Sequence, residues 1–181
     1  MSHTVLYDAQ AIDSALDRMA SHLCQRLELP ETVAVVGIRT GGIHVGCRLA
    51  ERIAQRLQAP VPFGSLDITL YRDDLYSGLE KPRVGPTEVP FDVDGREIIL
   101  VDDVLFTGRT VRAALEELMD LGRPRRILLA ALLDRGHREL PIAADVVGGV
   151  VQTTKAQRIA VQLREDPRYG VDQVLLLNPS A

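Results

Sequence analysis

The chain has 181 residues, of which 46% are hydrophobic, 25% charged and only 4% aromatic, with no Trp. That length and apolar content suit one domain with a sizeable core. Scarce aromatic rings leave few stacking platforms for single-stranded nucleic acid. A net charge of −4 and a pI near 5.6 argue against bulk polyanion binding but leave a local basic patch open.

The N-terminus MSHTVLYDAQ lacks a cationic start and an apolar run, so no signal peptide is expected. No stretch is long enough to span a bilayer, and a cytoplasmic protein without membrane association is the expectation. Cys24 and Cys47 fall within helical patterns without CxxC or His-rich spacing, and read as buried free thiols rather than a disulfide or metal site.

From Ile12 the apolar residues recur at 12, 15, 16, 19, 20, 23 and 27, which predicts an amphipathic first helix. TVAVVGI, 32–38, is a continuous β-branched run, the mark of a strand covered on both faces. The turn RTGGIHVG follows, then a helix with Val45, Leu49, Ile53 and Leu57 on one face. VPFGSLDITLY, 61–71, reads as a strand, and the polar segment 72–89, broken by Gly and Pro, as a long binding loop or lid. EIILV is a strand and TVRAALEELMDLG a helix, with Val111, Ala114, Leu115 and Leu118 inward and Gly122 as C-cap. RRILLAALLD is another buried strand, and ADVVGGVV, IAVQL and VDQVLLL are further strands. Alternating strands and helices imply one α/β domain, 1–181, with a mostly parallel sheet and right-handed crossovers.

The stretch IILVDDVLFTGRT, 98–110, sets Asp102 and Asp103 at the end of a buried strand and Thr107-Gly108-Arg109-Thr110 where a helix begins. In open parallel sheets ligands bind beyond the carboxyl ends of the strands. Carboxylates there accept hydrogen bonds from vicinal hydroxyls or attract hydrated Mg²⁺. The amides, hydroxyls and positive dipole end of a helix start suit a phosphate. A ribose 5-phosphate meets both demands. An acidic pair alone reads equally as solvated charge with a capping Thr; the ordered combination points to the sugar phosphate. The P-loop pattern with its Lys is absent, and so is a G-x-G-x-x-G turn.

This stretch resembles the phosphoribosyl pyrophosphate (PRPP) motif of type I phosphoribosyltransferases. LDITLYRDDL, DLGRPRRI and LLDRGHRELPI narrow the resemblance to the PyrR family of bifunctional pyrimidine-operon regulators and uracil phosphoribosyltransferases. The likeness runs from about Ala9 to Leu163 and is less distinct in the last residues. It implies the type I phosphoribosyltransferase fold, a central mostly parallel sheet flanked by helices, with a small hood and a flexible loop.

The resemblance also implies site roles. Asp102 and Asp103 contact the ribose hydroxyls, directly or through the Mg²⁺ of Mg-PRPP, and are the catalytic and metal-associated candidates. Val104, Leu105 and Phe106 lead into Thr107, Gly108, Arg109 and Thr110, which hold the 5-phosphate. Thr40 and Gly41 face the pyrophosphate; the family usually carries Arg where Gly41 stands. The loop 72–89 closes over PRPP and brings Arg83 to the phosphates, although alone Arg83 reads equally as a solvated charge. Arg135 lines the nucleotide site or makes a structural ion pair. The base lies against the backbone near Ile159, which alone reads as core. Purine-using relatives carry a carboxylate four positions after the first acid; Phe106 stands there and cannot exchange a proton.

The implied reaction is uracil plus PRPP giving UMP and pyrophosphate, with UMP or UTP as ligands and a homo-oligomer, dimer or larger, as the assembly. The family also binds pyr leader mRNA, and the matching candidates are Arg18, His22, Arg26, Arg125, Arg126, His137, Arg138 and Arg158. His137 reads equally as a structural hydrogen-bonding residue. Ser21, Ala143 and Gly149 stand where the family has other polar or basic residues, which weakens the RNA expectation. Two rivals are a non-catalytic, nucleotide-sensing RNA-binding regulator and a phosphoryl-receiver domain; the TGRT cradle and long loop count against the second.

Overall fold

A computed structural model describes residues 3–68 and 87–179. Most of the expected hood loop, Arg83 included, lies outside the described residues. The elements are β1 (His3–Tyr7), α1 (Ala9–Arg26), β2 (Ala34–Ile38), α2 (Gly41–Leu57), β3 (Phe63–Leu66) and β4 (Glu97–Leu105). They continue with α3 (Arg109–Asp120), β5 (Arg126–Asp134), β6 (Val146–Val150), β7 (Arg158–Gln162) and β8 (Gln173–Leu177).

Five strands form a sheet in the order β3-β2-β4-β5-β6, with every neighbouring pair parallel. Alternate residues serve opposite faces, as the two-residue period of a strand requires. Val35, Ile99, Val101, Leu128 and Ala130 pack toward α1 and α2. Ala34, Val36, Ile98, Leu100 and Ala131 pack toward α3. Both faces are therefore covered, which is why these strands read as unbroken apolar runs. Helix α1 buries Ile12, Ala15, Leu16, Met19, Ala20 and Leu23, each large side chain contributing about 1.5–3 kcal/mol. Its start is fixed by Asp8, whose carboxylate accepts from the Ala11 amide at 2.8 Å, a cap contributing about 1 kcal/mol.

Three sequence expectations shift. The strand expected over 61–71 is shorter, 63–66, and Ser65 continues its pairing in an isolated antiparallel bridge to Glu88. The C-terminal strands do not extend the main sheet. β7 and β8 pair antiparallel with each other, and β8 pairs antiparallel with β1, giving a separate three-stranded hood in the order β1-β8-β7. Both cysteines are free, as expected, but Cys47 is exposed rather than buried and Cys24 is half-buried. The reason is local: Val45, Leu49 and Ile53 set the inward stripe of α2, and the helical period turns Cys47 away from it toward the opposite face. Among the described residues, no helix is long and apolar enough to cross a membrane.

Candidate active site

The chain order within the main sheet reverses direction between β2 and β4. From β2 the path goes outward to β3; from β4 it goes the other way to β5 and β6. A crevice opens at such a switch point, beyond the carboxyl ends of the two central strands. Thr40 and Gly41 follow β2, and Asp102 and Asp103 end β4, so two sequence-distant candidate sets meet there.

The contact is close. A Cβ on residue 41 would lie 2.0 Å from Asp103 Oδ2 and 2.3 Å from its Cγ, so only glycine leaves room for this carboxylate. The departure from the family's Arg therefore has a structural counterpart: Asp103 lies against the bare backbone. The Arg39–Thr40 peptide is cis.

Asp102 is 5% exposed and Asp103 half-buried. The Asp103 amide donates to Asp102 Oδ1 at 3.0 Å, and the Val104 amide to Asp103 Oδ1 at 2.9 Å. Burial pushes the Asp102 carboxyl well above the usual range, and the charge of Asp103 adds to it. Burial also raises Asp103. Two adjacent carboxylates with this little solvent resist double ionisation. They gain from hydroxyl donors or a cation. Among the described residues no group of three or more His, Cys, Asp and Glu is arranged as a metal cage. Oxygen ligands of this kind are what a hard cation such as Mg²⁺ takes.

Beyond β4 the chain turns through Phe106 and Thr107 into α3. Gly108 adopts φ 93°, a left-handed conformation that favours glycine, and caps α3 without a side-chain hydrogen bond. The first amides of α3 have no partner within the helix and sit at its positive end. Arg109, exposed, pairs with Glu139 at 2.9 Å and so is held on the outer side of this turn. Thr107 is fixed by its carbonyl, which accepts from the amides of Glu139 and Leu140 at 3.0 and 3.1 Å.

Phe106 stacks on a buried cation: the Arg135 guanidinium carbon is 4.1 Å from the ring centroid. The His137 ring meets Phe106 edge-on at 5.8 Å. Arg135 donates to Thr153 Oγ1 at 3.2 Å and to the carbonyls of Thr154 and Gln157, each at 2.8 Å. Of the two sequence readings, these contacts speak against an ion pair. Arg135 fastens the 153–157 loop to the end of β5, and burial lowers its pKa.

A cavity of about 290 Å³ brings Thr40, Gly41, Asp103 and Ile159 together, roofed by β7 and the turn after it. Ile159 is half-buried and lines this space as well as touching the core. Four polar lining residues escaped the sequence reading: His44, Asp166, Arg168 and Tyr169. His44 lies in the first turn of α2, while the other three belong to the local sequence Asp-Pro-Arg-Tyr, which the hood carries over the cavity. Arg168 Nε bonds both Asp166 oxygens at 2.9 and 3.0 Å. That pairing holds the Asp166 carboxyl down at about 2.

The RNA candidates scatter. Arg18 and His22 are exposed on α1, with Arg18 Nη2 donating to Gly148 O at 3.2 Å. Arg26 is exposed at the end of α1, and Arg126 Nη1 donates to its carbonyl at 3.0 Å. Arg125 and Arg126 each pair with Glu28 at 3.1 Å. Arg158 is exposed and lines the cavity, far along the chain from α1. His137 Nε2 lies 2.7 Å from Thr153 O, and Arg138 is bonded to the turn after β4. At Gly149, the space a Cβ would take holds the Tyr7 hydroxyl, 1.9 Å away.

A switch-point crevice with an acidic pair on one side and an anion-ready turn on the other defines a phosphoribosyltransferase-type protein. Residues 2–168 match the family model of the phosphoribosyl transferase domain. Bifunctional protein PyrR of Chloroflexus aurantiacus is 51% identical over 97% of this chain and 96% of its own. Its counterpart in Roseiflexus sp. strain RS-1 is 48% identical over 100% and 98%, and that of Enterococcus faecalis strain V583 is 48% identical over 93% of each. The chain belongs to the PyrR family of phosphoribosyl transferase domain proteins. The fold is shared more widely. A Leishmania tarentolae HGPRT-ase in complex with GMP superposes with TM-score 0.72 at 15% identity, covering 98% of this chain and 97% of that one. A Staphylococcus aureus hypoxanthine phosphoribosyltransferase gives 0.69 at 18%, covering 97% and 93%.

Proposed function

We propose that this protein is a cytoplasmic, Mg²⁺-dependent uracil phosphoribosyltransferase that makes UMP and pyrophosphate from uracil and PRPP. In this reading Asp102 and Asp103 accept hydrogen bonds from the ribose hydroxyls, and the turn from Val104 to Thr110 holds the 5-phosphate. Thr40 and Gly41 present backbone to the pyrophosphate, Arg83 approaches the phosphates, and the base lies near Ile159, on β7 just beyond the loop that Arg135 fastens. Bound Mg²⁺ would sit with Asp102 and Asp103 and neutralise pyrophosphate charge. The bond from ribose C1 to pyrophosphate oxygen breaks, the bond from C1 to uracil N1 forms, and the N1 proton leaves. Such a reaction needs positioning and shielding from water more than a strong nucleophile.

The observation that carries the proposal is the buried acidic pair at the switch point, facing Gly41 and followed by the phosphate-ready turn. Phe106 in place of the carboxylate that purine-using relatives carry supports a pyrimidine over a purine base, since its ring cannot exchange a proton with a purine. A steady-state assay with labelled uracil and PRPP tests it. UMP formation with uracil, and none with guanine, is expected; no UMP from uracil overturns it.

A second role is regulation of the pyr operon by binding leader mRNA under the control of UMP or UTP, in a homo-oligomer. The exposed Arg18 and His22 favour it, while the pairing of Arg125 and Arg126 with Glu28 weakens it. The alternative, a sensor without catalysis, gains support from Gly41, which supplies no cation for pyrophosphate. Filter binding to pyr leader RNA, with and without UMP and across salt, tests the regulatory role, and the assay with labelled uracil and PRPP separates enzyme from sensor.

A further inference from the structure

Residues 163–172 connect β7 to β8 and carry Asp166, Arg168 and Tyr169 over one end of the cavity. The flanking strands pair as far as Gln162 and Gln173, and Leu163 and Val174 are buried in the core. Within the connection the Asp166 amide donates to Leu163 O and the Tyr169 amide to Asp166 O, each at 3.0 Å. In a short hairpin the turn type fixes how the loop leaves its strands. This connection is longer, so its seat over the cavity depends on what grips it from outside. The grip comes from α2. Arg48 Nε donates to Glu165 Oε1 at 2.8 Å, and Nη2 to Glu165 Oε2 at 2.7 Å and to Asp172 Oδ1 at 2.8 Å. Asp172 also accepts from the Arg164 amide at 2.8 Å and from Arg164 Nη2 at 2.7 Å. One guanidinium thus ties both ends of the connection to α2. The Arg48 side chain is 12% exposed and that of Asp172 3%, so water competes little for these charge-assisted bonds.

Where the grip acts follows from helix geometry. Positions 41, 44 and 48 succeed one another on one face of α2. Gly41 and His44 line the cavity from that face, and Arg48, a turn further on, holds the connection that covers them. The other end of the hood is held differently. Ile159 lies near the start of β7, about 13 Å along an extended strand from Leu163. Backbone pairing of β7 with β8, and of β8 with β1, holds it there without any contribution from Arg48.

We propose that Arg48 is a positioning residue for the leaving group: by seating residues 163–172 on α2 it shapes the cavity at the pyrophosphate end and leaves the base end unaffected. This rests on the phosphoribosyl reading of the site given above, in which Thr40 and Gly41 face pyrophosphate and the base lies near Ile159. Arginine suits the task because its planar fork meets two carboxylates at once, whereas an ammonium acts as a point charge. Arg48 does not line the cavity itself and acts through Glu165 and Asp172.

The test uses the full chain as wild type, Arg48→Gln, Arg48→Lys and Glu165→Gln, with thermal unfolding to check folding. Calorimetry gives the affinities for UMP and for pyrophosphate with Mg²⁺, and initial rates give KM for PRPP and for uracil. Arg48→Gln is expected to weaken pyrophosphate and raise KM for PRPP about tenfold, while UMP affinity and KM for uracil stay within about twofold of wild type. Arg48→Lys keeps the charge but not the fork, and Glu165→Gln keeps the bond from Arg48 to Asp172. Both shift the same two quantities by less, and they carry the test if Arg48→Gln does not fold. Pyrophosphate affinity and KM for PRPP at wild-type levels in every folded variant overturn the proposal. Parallel losses for UMP and uracil overturn it too, since they mark damage to the whole hood. Wild-type protein that binds neither UMP nor pyrophosphate and forms no UMP overturns the site reading itself, and the inference with it.

Discussion

Replacing Asp102 by Asn separates the two things the acidic pair does. The side chain keeps its shape and its Oδ1 acceptor, which takes the Asp103 amide at 3.0 Å. What disappears is one of two adjacent charges in a buried place. Two unit charges about 4–5 Å apart at an effective dielectric near 20 repel by roughly 3–4 kcal/mol. The wild-type protein escapes part of this by keeping a proton, so the variant without ligand gains about 1–2 kcal/mol. For a chain of this size that is a rise in Tm of about 2–8 °C. The sign with pH follows from the raised carboxyl. A group whose pKa is higher folded than unfolded supports the fold while protonated and ceases to as pH rises through its folded value. Wild type and variant should therefore match near pH 4 and diverge toward pH 8, the variant being the more stable. Activity moves the other way, with kcat falling about 100-fold or more as a ribose contact is lost. Thermal unfolding across pH, paired with the UMP-forming assay, reads both. A variant less stable than wild type at pH 8, or a gap that ignores pH, refutes the reasoning.

Gly41→Ala places a Cβ 2.0 Å from Asp103 Oδ2, so the carboxylate must move by more than about 1 Å and kcat/KM should fall about 10–100-fold; full activity refutes the close packing. Asp172 accepts from Arg48 at 2.8 Å and from Arg164 at 2.7 Å, and although burial pulls its carboxyl up, these bonds hold it at about 2. A depressed carboxyl stabilises above its unfolded value and loses that as pH falls, so Asp172→Asn should cost about 2 kcal/mol near pH 7, a gap that closes between roughly pH 4 and 2 in urea unfolding. Phe106→Tyr keeps the ring over Arg135 and should keep activity. Phe106→Ala removes the ring, costs about 1–2 kcal/mol, loosens the 153–157 loop and raises KM for uracil; an unchanged KM counts against that loop as the base platform.

The main sheet was readable because its central strands β2, β4 and β5 are largely buried on both faces and announce themselves as apolar runs, with helical spacing between. The acidic pair was readable because strand, acids, Thr-Gly-Arg-Thr and helix are contiguous. The hood was not. β1, HTVLY, is short and largely exposed, and its partner β8 begins at Gln173, so no local pattern links them. Strands β7 and β8 look like further members of the main sheet until their antiparallel pairing is seen, since hydrophobicity carries no direction. His44, Asp166, Arg168 and Tyr169 gain their significance only from that pairing. Arg138 and His137 drew attention as surface charges. Their carbonyl partners come from backbone that sequence does not display.

The charge pattern around the cavity narrows how the site handles anions. Arg168 is paired with Asp166, Arg109 with Glu139 and Arg138 with Asp134. Each of these cations is matched by an acid, in a chain whose net charge is −4. A wall built of such pairs carries little net positive charge. Affinity for phosphates then rests on oriented amides, at the turn after β4 and at the start of α2, and on a cation that arrives with the ligand. Oriented amides bind an anion only where the backbone is held in place, because peptide planes that rotate lose the alignment. That is why most arginines near this site are spent on carbonyls and carboxylates, with Arg158 lining the cavity. It also explains how Gly41 can stand where the family usually has Arg. With Asp103 packed on its bare backbone, the proposed pyrophosphate end offers main chain and a paired acid, and in the proposed function the metal of Mg-PRPP would supply the positive charge.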